Sequence, residues 1–291
     1  MANLKEIRNR IASVGSTMQI TSAMKMVSAA KLKKAQDAIT QMRPYAEKLQ
    51  EILGNLSSSL DLSENAYSEN RDVKNVLIVG VTSNRGLCGG FNNNIIKHVN
   101  FLVNNEYKHV NTKVLCLGKK IKDVYKKTDH YYINENVAPF EDIFSNLTFA
   151  NSAEITNFLM EKFTNKEFDK IVVVYNSFVN AASQAIKTEQ FLPIVATVNE
   201  SNNAIGDYLF EPSKEEIVMD LIPKSLKIQL FKGLLDSNAS EHGARMTAMH
   251  KATDNAKEMK RTLTIGYNKA RQAAITSEIL EIVGGAEALN A

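Results

Sequence analysis

An unbroken heptad pattern at the N-terminal end restricts the possible folds more than any other feature of this sequence. One set of positions recurs every seven residues from Leu4, and a second set recurs every seven residues from Ile7. Both sets are apolar as far as Leu56, with three exceptions. The exceptions are Thr21, Lys25 and Ser28. Alternating spacings of three and four over this length predict a long helix that pairs in a coiled coil.

The C-terminal end shows the same alternation and predicts a second long helix. Its predicted pairing positions are Met249, Ala252, Ala256, Met259, Leu263, Gly266, Ala270, Ala273, Ser277 and Leu280. Most of these side chains are small, which lets two helix backbones approach closely. Pro223 is expected near the start of this helix, where its missing N–H costs no hydrogen bond. The two ends are therefore predicted to form one long antiparallel two-helix coiled coil.

The two predicted helices differ in length. At 1.5 Å per residue, residues 4–56 span roughly 80 Å and residues 224–290 span roughly 100 Å, so the second extends about 20 Å past the first. The apolar residues of that end are Ile275, Ile279, Leu280, Ile282 and Val283. Exposed apolar side chains predict that another protein covers this end. The alternative is that the end folds back or frays at Gly284 and Gly285.

Charge is unevenly distributed along the chain. Residues 1–57 carry a net charge of +5 and residues 224–291 carry +3, whereas the stretch between them carries −5. The basic ends predict acidic partners. The sequence has no apolar run long enough to span a membrane and no secretory signal, so we expect a cytosolic protein without direct membrane insertion.

Between the two ends, continuous β-branched runs alternate with helical stretches, which is typical of parallel strands buried on both faces. The predicted strands are 76–81, 113–117, 131–133 and 170–175, with 185–191 as an edge strand, and the predicted helices are 92–105, 119–127 and 152–163. This pattern predicts a small doubly wound, Rossmann-like α/β domain. The predicted divisions are 1–57 for the N-terminal coiled-coil helix, 58–212 for the α/β domain with flanking joints, and 213–291 for the C-terminal coiled-coil helix.

A glycine-rich turn at residues 80–90 follows the first predicted strand, where nucleotide-binding folds hold phosphates. Its sequence, GVTSNRGLCGG, matches neither G-x-G-x-x-G nor G-x-x-x-x-G-K-[ST], so we favour a packing role over nucleotide binding. His242 and His250 are too far apart for a one-turn metal clamp, and Cys88 has no recognisable base. We predict no catalytic residue, cofactor or metal, and we expect Cys88 and Cys116 to be reduced and buried.

Lys31, Lys33 and Lys34 lie outside the heptad positions and project from the first helix. Such a group is most often a solvated face. The chain lacks the interleaved aromatic residues of single-strand binders and any motif that reads duplexes, so nucleic acid is not the predicted partner. An acidic protein surface is the favoured one.

Six segments of this sequence resemble the γ subunits, or central shafts, of F-type ATP synthases. They are 7–14 (IRNRIASV), 20–27 (ITSAMKMV), 43–46 (RPYA), 83–89 followed by 91–92 (SNRGLCG and FN), 241–249 (EHGARMTAM) and 267–279 (YNKARQAAITSEI). The resemblance covers nearly the whole chain. It implies a non-catalytic rotor shaft that transmits torque between the membrane c-ring and the catalytic ring of α and β subunits in a proton-translocating ATP synthase.

The resemblance also implies contacts for particular residues. Arg271 and Gln272 are expected to face a β-subunit loop. Lys25 and the three neighbouring lysines are expected to meet acidic β-subunit segments. The end that carries Ile275, Ile279, Ile282 and Val283 is expected to turn in an apolar bearing. Tyr208, Phe210 and Glu211 are expected in the foot on the c-ring, and the α/β domain is expected to contact the ε subunit.

The resemblance further implies a peripheral protein on the cytoplasmic side of a bacterial inner membrane, because neither an organellar leader nor the regulatory cysteine insertion of chloroplast members occurs here. Two other hypotheses stay open. An enzyme built on the α/β domain would bind nucleotide through Arg85 and Gly86. A free tethering coiled coil would self-associate through its pairing positions.

Overall fold

The computed structural model describes residues 4–57, 66–69, 71–133, 138–194 and 214–290. The helices are α1 (Leu4–Ser57), α2 (Phe91–Phe101), α3 (Lys119–Tyr125), α4 (Phe149–Thr164) and α5 (Lys214–Asn290), and the strands are β1 (Asn75–Val81), β2 (Asn111–Leu117), β3 (Lys170–Phe178) and β4 (Gln184–Leu192). A π-helical turn, Leu102–Glu106, extends α2, and a 3₁₀ segment, Ala138–Ser145, precedes α4. The chain divides into two compact units, Met1–Ser28 with Met246–Ala291 (the paired-helix unit) and Ala29–Arg245 (the α/β unit).

In the paired-helix unit, α1 and α5 run antiparallel. Gly15 lies opposite Lys260, and Thr21 lies opposite Thr253, so residue numbers fall along one helix as they rise along the other. On α1 every predicted heptad position from Leu4 to Leu49 is buried or half-buried. The predicted antiparallel pairing is confirmed in this unit.

The pairing face of α5 follows the prediction at five of the ten positions. Buried or half-buried as predicted are Met249, Ala252, Ala256, Leu263 and Ala270, whereas Met259, Gly266, Ala273, Ser277 and Leu280 are exposed. Four residues that were not predicted as pairing positions are also half-buried: Thr253, Lys260, Tyr267 and Ala274. The prediction was wrong there because it counted only apolar side chains, whereas the aliphatic stem of a lysine or the ring of a tyrosine also covers a helix face.

The start of α5 also differs from the prediction. The helix begins at Lys214 and continues through Pro223, which therefore does not open it. A proline inside a helix removes one backbone hydrogen bond. Four buried residues at spacings of four pack this part of α5 onto the sheet and offset that cost. They are Ile222, Leu226, Leu230 and Leu234.

The sheet has the strand order β2-β1-β3-β4. β1 pairs in parallel with β2 and β3, and β4 is an antiparallel edge strand on β3. Residues 131–133 were predicted as a strand, but only Tyr131 bridges to Val114, so this prediction was wrong. Its apolar run is too short for more than one ladder contact.

Helices cover both faces of this sheet. On one face, Leu77, Val79 and Val173 pack against α4 and α5, and on the other face, Val76 and Ile78 pack against α2 and α3. The continuous burial along β1 and β3 explains why their sequences are β-branched without polar alternation. The predicted fold class, a two-helix coiled coil with a small doubly wound α/β domain, is confirmed. The predicted divisions at residues 57 and 212 stay a prediction.

Candidate functional surfaces

Residues 82–90 form the Gly-rich loop between β1 and α2, and side chains beneath it fix its shape. Ser83 donates its backbone N–H to the Asn92 side-chain oxygen at 2.9 Å, and the Ser83 hydroxyl donates to the Arg85 carbonyl at 2.5 Å. Leu87 and Gly89 both have positive φ, at 63° and 60°. Leucine rarely adopts this conformation, so the surrounding hydrogen bonds must hold the turn.

The Gly-rich loop presents carbonyl oxygens to a guanidinium group on α5. Arg245 Nη2 donates to the carbonyls of Arg85 and Gly86, each at 3.2 Å. Phosphate-binding loops instead direct backbone N–H groups toward their ligand. Because the loop directs carbonyl oxygens at Arg245, its geometry favours the packing role over the phosphate-binding role. The expected absence of a bound nucleotide stays a prediction.

Arg245 belongs to a buried ion pair. Its Nη1 donates to Glu241 Oε1 at 2.6 Å, and both residues are buried. Burial raises the pKa of Glu241, and the Arg245 charge opposes this shift. Burial, followed by the charges of Arg245 and Lys31, lowers the pKa of His242 to about 4, so this imidazole is neutral at ordinary pH.

The two cysteines are free and buried, as predicted. Burial raises the pKa of the Cys88 thiol and raises that of Cys116 to about 12. Thiols in this state are poor nucleophiles. Glu141 is also buried and accepts hydrogen bonds from Lys122 and Tyr131, which makes it a structural carboxylate. Within the described ranges, no cluster of histidine, cysteine or acidic residues has the geometry of a metal site.

The predicted lysine patch is exposed on α1. Lys31, Lys33 and Lys34 are all exposed, and Lys33 forms an ion pair with Asp37 at 2.9 Å. Lys25 differs from these three because it lies at a heptad position of the paired-helix unit and is half-buried. A half-buried lysine on a pairing face keeps its ammonium group at the edge of that face.

The C-terminal end of α5, in the paired-helix unit, carries several large apolar residues that are exposed. Because Gly15 lies opposite Lys260, Leu4 lies opposite a residue near Arg271, and α5 continues for roughly 20 further residues, or about 30 Å. The helix runs through Gly284 and Gly285 without folding back. The exposed apolar residues are Ile275, Ile279, Leu280, Ile282 and Val283, which we call the apolar tip.

Arg271 and Gln272 are both exposed immediately before the apolar tip. Tyr208, Phe210 and Glu211 lie outside the described residues. Sequence reasoning missed two features. The first is a group of exposed apolar residues on α1, namely Ile20, Met26 and Val27, which was readable as apolar residues at non-heptad positions. The second is the Glu241–Arg245 pair, which carries no local signal because its loop partner is distant in sequence.

No helix within the described residues is both long and apolar enough to cross a membrane. The described residues thus combine a helix pair, an exposed apolar tip and an α/β domain whose most prominent loop is occupied by an arginine of the same chain. The exposed apolar tip indicates a structural protein that binds another chain through the end of its helix pair.

A family model described as ATP synthase matches residues 3–289. The chain is 62% identical over 291 residues to the ATP synthase gamma chain of Flavobacterium johnsoniae and 60% identical over 291 residues to that of Christiangramia forsetii, and each alignment covers 100% of both proteins. The chain belongs to the family of ATP synthase gamma chains.

Solved structures show the same fold. A chain of the Euglena gracilis mitochondrial ATP synthase matches with a TM-score of 0.66 and 22% identity, covering 98% of this chain and 94% of that chain. A chain from the central stalk and c-ring structure of the Tetrahymena thermophila mitochondrial ATP synthase matches with a TM-score of 0.56 and 24% identity, covering 80% of this chain and 99% of that chain. The resemblance found in the sequence is therefore confirmed.

Proposed function

We propose that this chain is the central rotor shaft of an F-type ATP synthase, which transmits torque between the membrane c-ring and the catalytic ring of α and β subunits. The nucleotide chemistry belongs to the ring, and this chain is non-catalytic. One observation carries the proposal: α5 continues about 30 Å past the described start of α1 with apolar side chains exposed on it. A single helix with this surface needs a covering partner in water.

In this proposal the apolar tip turns inside an apolar bearing made by the ring. Ile275, Ile279, Ile282 and Val283 are the contact residues. An apolar bearing suits rotation because dispersion and hydrophobic contacts are non-directional, so no fixed hydrogen bond has to break as the tip turns. Arg271 and Gln272, at the entrance to the bearing, offer a fork of donors and an amide to a β-subunit loop.

The lysine patch serves a different purpose in the proposal. Lys31, Lys33 and Lys34 are exposed cations on one part of α1, and Lys25 adds a fourth cation on the same helix. Acidic segments of the β subunits meet these cations as the shaft turns. The contacts are charged and exposed, so they attract at a distance and release readily in salt.

The remaining partners follow from the family. The proposal assigns the foot on the c-ring to Tyr208, Phe210 and Glu211, and it assigns the contact with the ε subunit to the α/β domain. The complex then lies at the inner membrane of a bacterial cell, with this chain peripheral on the cytoplasmic side. The relatives from bacteria support the bacterial source.

The proposal is tested by reversing the lysine patch in the assembled complex. The triple variant Lys31→Glu, Lys33→Glu, Lys34→Glu is expected to lower ATP-driven proton pumping per ATP hydrolysed in membrane vesicles, because like charges would then face the acidic segments. A matched control reverses three lysines of the α/β domain, Lys120→Glu, Lys126→Glu and Lys127→Glu. Equal pumping per ATP in both variants and the unaltered chain would refute the lysine role.

A further inference from the structure

The Glu241–Arg245 pair stands out because charged side chains are seldom buried. Both residues are less than a tenth exposed, and their charged atoms lie 2.6 Å apart. Removing two ions from water is costly, and a buried pair is weak evidence for stability because apolar residues would serve as well. A buried ion pair can instead fix the arrangement of neighbouring groups, because its hydrogen bonds are directional.

Here the pair fixes the position of the Gly-rich loop relative to α5. Arg245 Nη2 and Nε lie 3.2 Å and 3.4 Å from the Gly86 carbonyl oxygen, and Nη2 also reaches the Arg85 carbonyl. Arginine holds two carbonyls at once because its donors are arranged in a rigid planar fork. Lysine offers a single ammonium group and cannot reproduce this arrangement.

The Gly-rich loop is also held from the opposite side. Asn84 donates its side-chain amide to Asp142 at 2.5 Å, and Asn92 holds the Ser83 backbone N–H. The loop therefore has fixed supports in the α/β domain, while Arg245 connects it to α5. Leu87 remains 64% exposed at its apex despite its positive φ.

Nearby backbone contacts bring α5 close to the sheet at the same level. A Cβ added at Gly243 would lie 3.2 Å from the Ala181 Cα atom and 3.3 Å from its carbonyl oxygen. Ser240 donates its hydroxyl to the Asn176 carbonyl at 3.1 Å. One short stretch of α5 therefore contacts the sheet, the β3–β4 turn and the Gly-rich loop.

We propose that Arg245 is a positioning residue, held by Glu241, that fixes the Gly-rich loop to α5 so that the α/β domain and this part of the shaft turn as one body. This inference rests on the proposed rotor function and extends it. A rotor transmits less torque where two of its parts can move relative to each other. The Arg245 contacts prevent such movement between the Gly-rich loop and α5.

The test uses the assembled ATP synthase with Arg245→Lys in this chain. Lysine keeps the charge beside Glu241 and should keep the fold, but it loses the double contact with the loop. The control is Lys224→Gln, which breaks the Lys224–Asp220 pair on the same helix with the same spacing but on an exposed face. Two quantities are measured: amide hydrogen exchange of residues 86–89, and protons pumped per ATP hydrolysed.

For Arg245→Lys we expect amide exchange in the loop to accelerate by about tenfold or more and pumping per ATP to fall by about threefold, while ATP hydrolysis continues. The control should change neither quantity. A purely structural role would lower the assembly yield and leave pumping per ATP unchanged in the complexes that form, and that result would overturn the proposal.

Two other results would also overturn it: faster loop exchange with full pumping, or lost pumping with unchanged loop exchange. If the complex with the unaltered chain fails to pump, the rotor function itself is wrong. Should Arg245→Lys prevent assembly altogether, Glu241→Gln provides the second variant. It keeps the side-chain shape and an oxygen acceptor for Arg245, and a milder change in the same two quantities is expected from it.

Discussion

The sheet of the α/β unit and the helix pair of the paired-helix unit are stabilised by different interactions. Along β1 and β3, residues such as Ile78, Val79 and Ile171 are fully buried and contact helices on both faces. Along the helix pair, covered positions include Thr21 and Ser28, and the opposite helix contributes Lys260 and Tyr267, which are half-buried.

This difference indicates where each unit obtains its stability. Buried apolar area stabilises the sheet at about 25 cal/mol per Å², independently of any partner. The helix pair buries less apolar surface and leaves the apolar tip exposed, so its folded state depends more on polar contacts and on the chain that covers it. Packing within its own chain thus stabilises the sheet, whereas the helix pair leaves apolar surface for another chain to cover.

The largest expected effect comes from a cavity in the sheet. Leu115→Ala removes a fully buried side chain and should lower the free energy of unfolding by about 2–5 kcal/mol. The matched variant in the apolar tip, Ile279→Ala, should change it by less than about 0.5 kcal/mol, because this side chain is exposed. Urea unfolding of the isolated chain measures both. Similar losses in the two variants would remove the distinction between the units.

A pH-dependent effect is expected from His242. Its pKa falls from 6.5 to about 4 in the folded chain, so between these values the unfolded chain binds a proton that the folded chain does not. The stability from this group is present above pH 6.5 and is lost as the pH falls toward 4, by at most about 3 kcal/mol. His242→Gln should flatten this part of the stability profile.

A smaller loss of stability should come from a polar contact in the helix pair. The hydroxyls of Thr253 and Thr21 lie 2.9 Å apart across the pairing face. Thr253→Val removes this hydrogen bond and should cost about 1 kcal/mol. Thr262→Val is the control, because the Thr262 hydroxyl donates to the Glu258 carbonyl of its own helix. Thermal unfolding followed by helical circular dichroism compares them, and an equal change in both would contradict a role for the cross-helix bond.

Sequence patterns predicted the elements whose periodicity is carried by apolar residues. The α1 heptads, the runs in β1 and β3, and the edge position of β4 were all readable, because burial there follows side-chain chemistry. The α5 face was only half predicted, since Thr253 and Lys260 cover it with groups that a hydrophobic pattern ignores. Pro223 misled for a related reason: the residues beside it, Ile222 and Leu226, are buried against a sheet that is distant in sequence.

Of the candidate functional surfaces, one was predictable from the sequence and one was not. The apolar tip was predictable from Ile275 onward, because exposure followed from the unequal lengths of two helices. The Glu241–Arg245 pair was not predictable. A glutamate and an arginine four residues apart on a helix usually form an exposed pair, and only the long-range contact with the Gly-rich loop shows that this pair is buried.

The proposed rotor function requires the paired-helix unit to turn inside a ring. The most direct measurement attaches a bead to this chain in an ATP synthase catalytic complex whose ring is fixed to a surface, and follows the bead after ATP is added. For a rotor we expect continued rotation of the bead in one direction, which stops when ATP is removed. A bead that stays at one angle while the same complex hydrolyses ATP would contradict it.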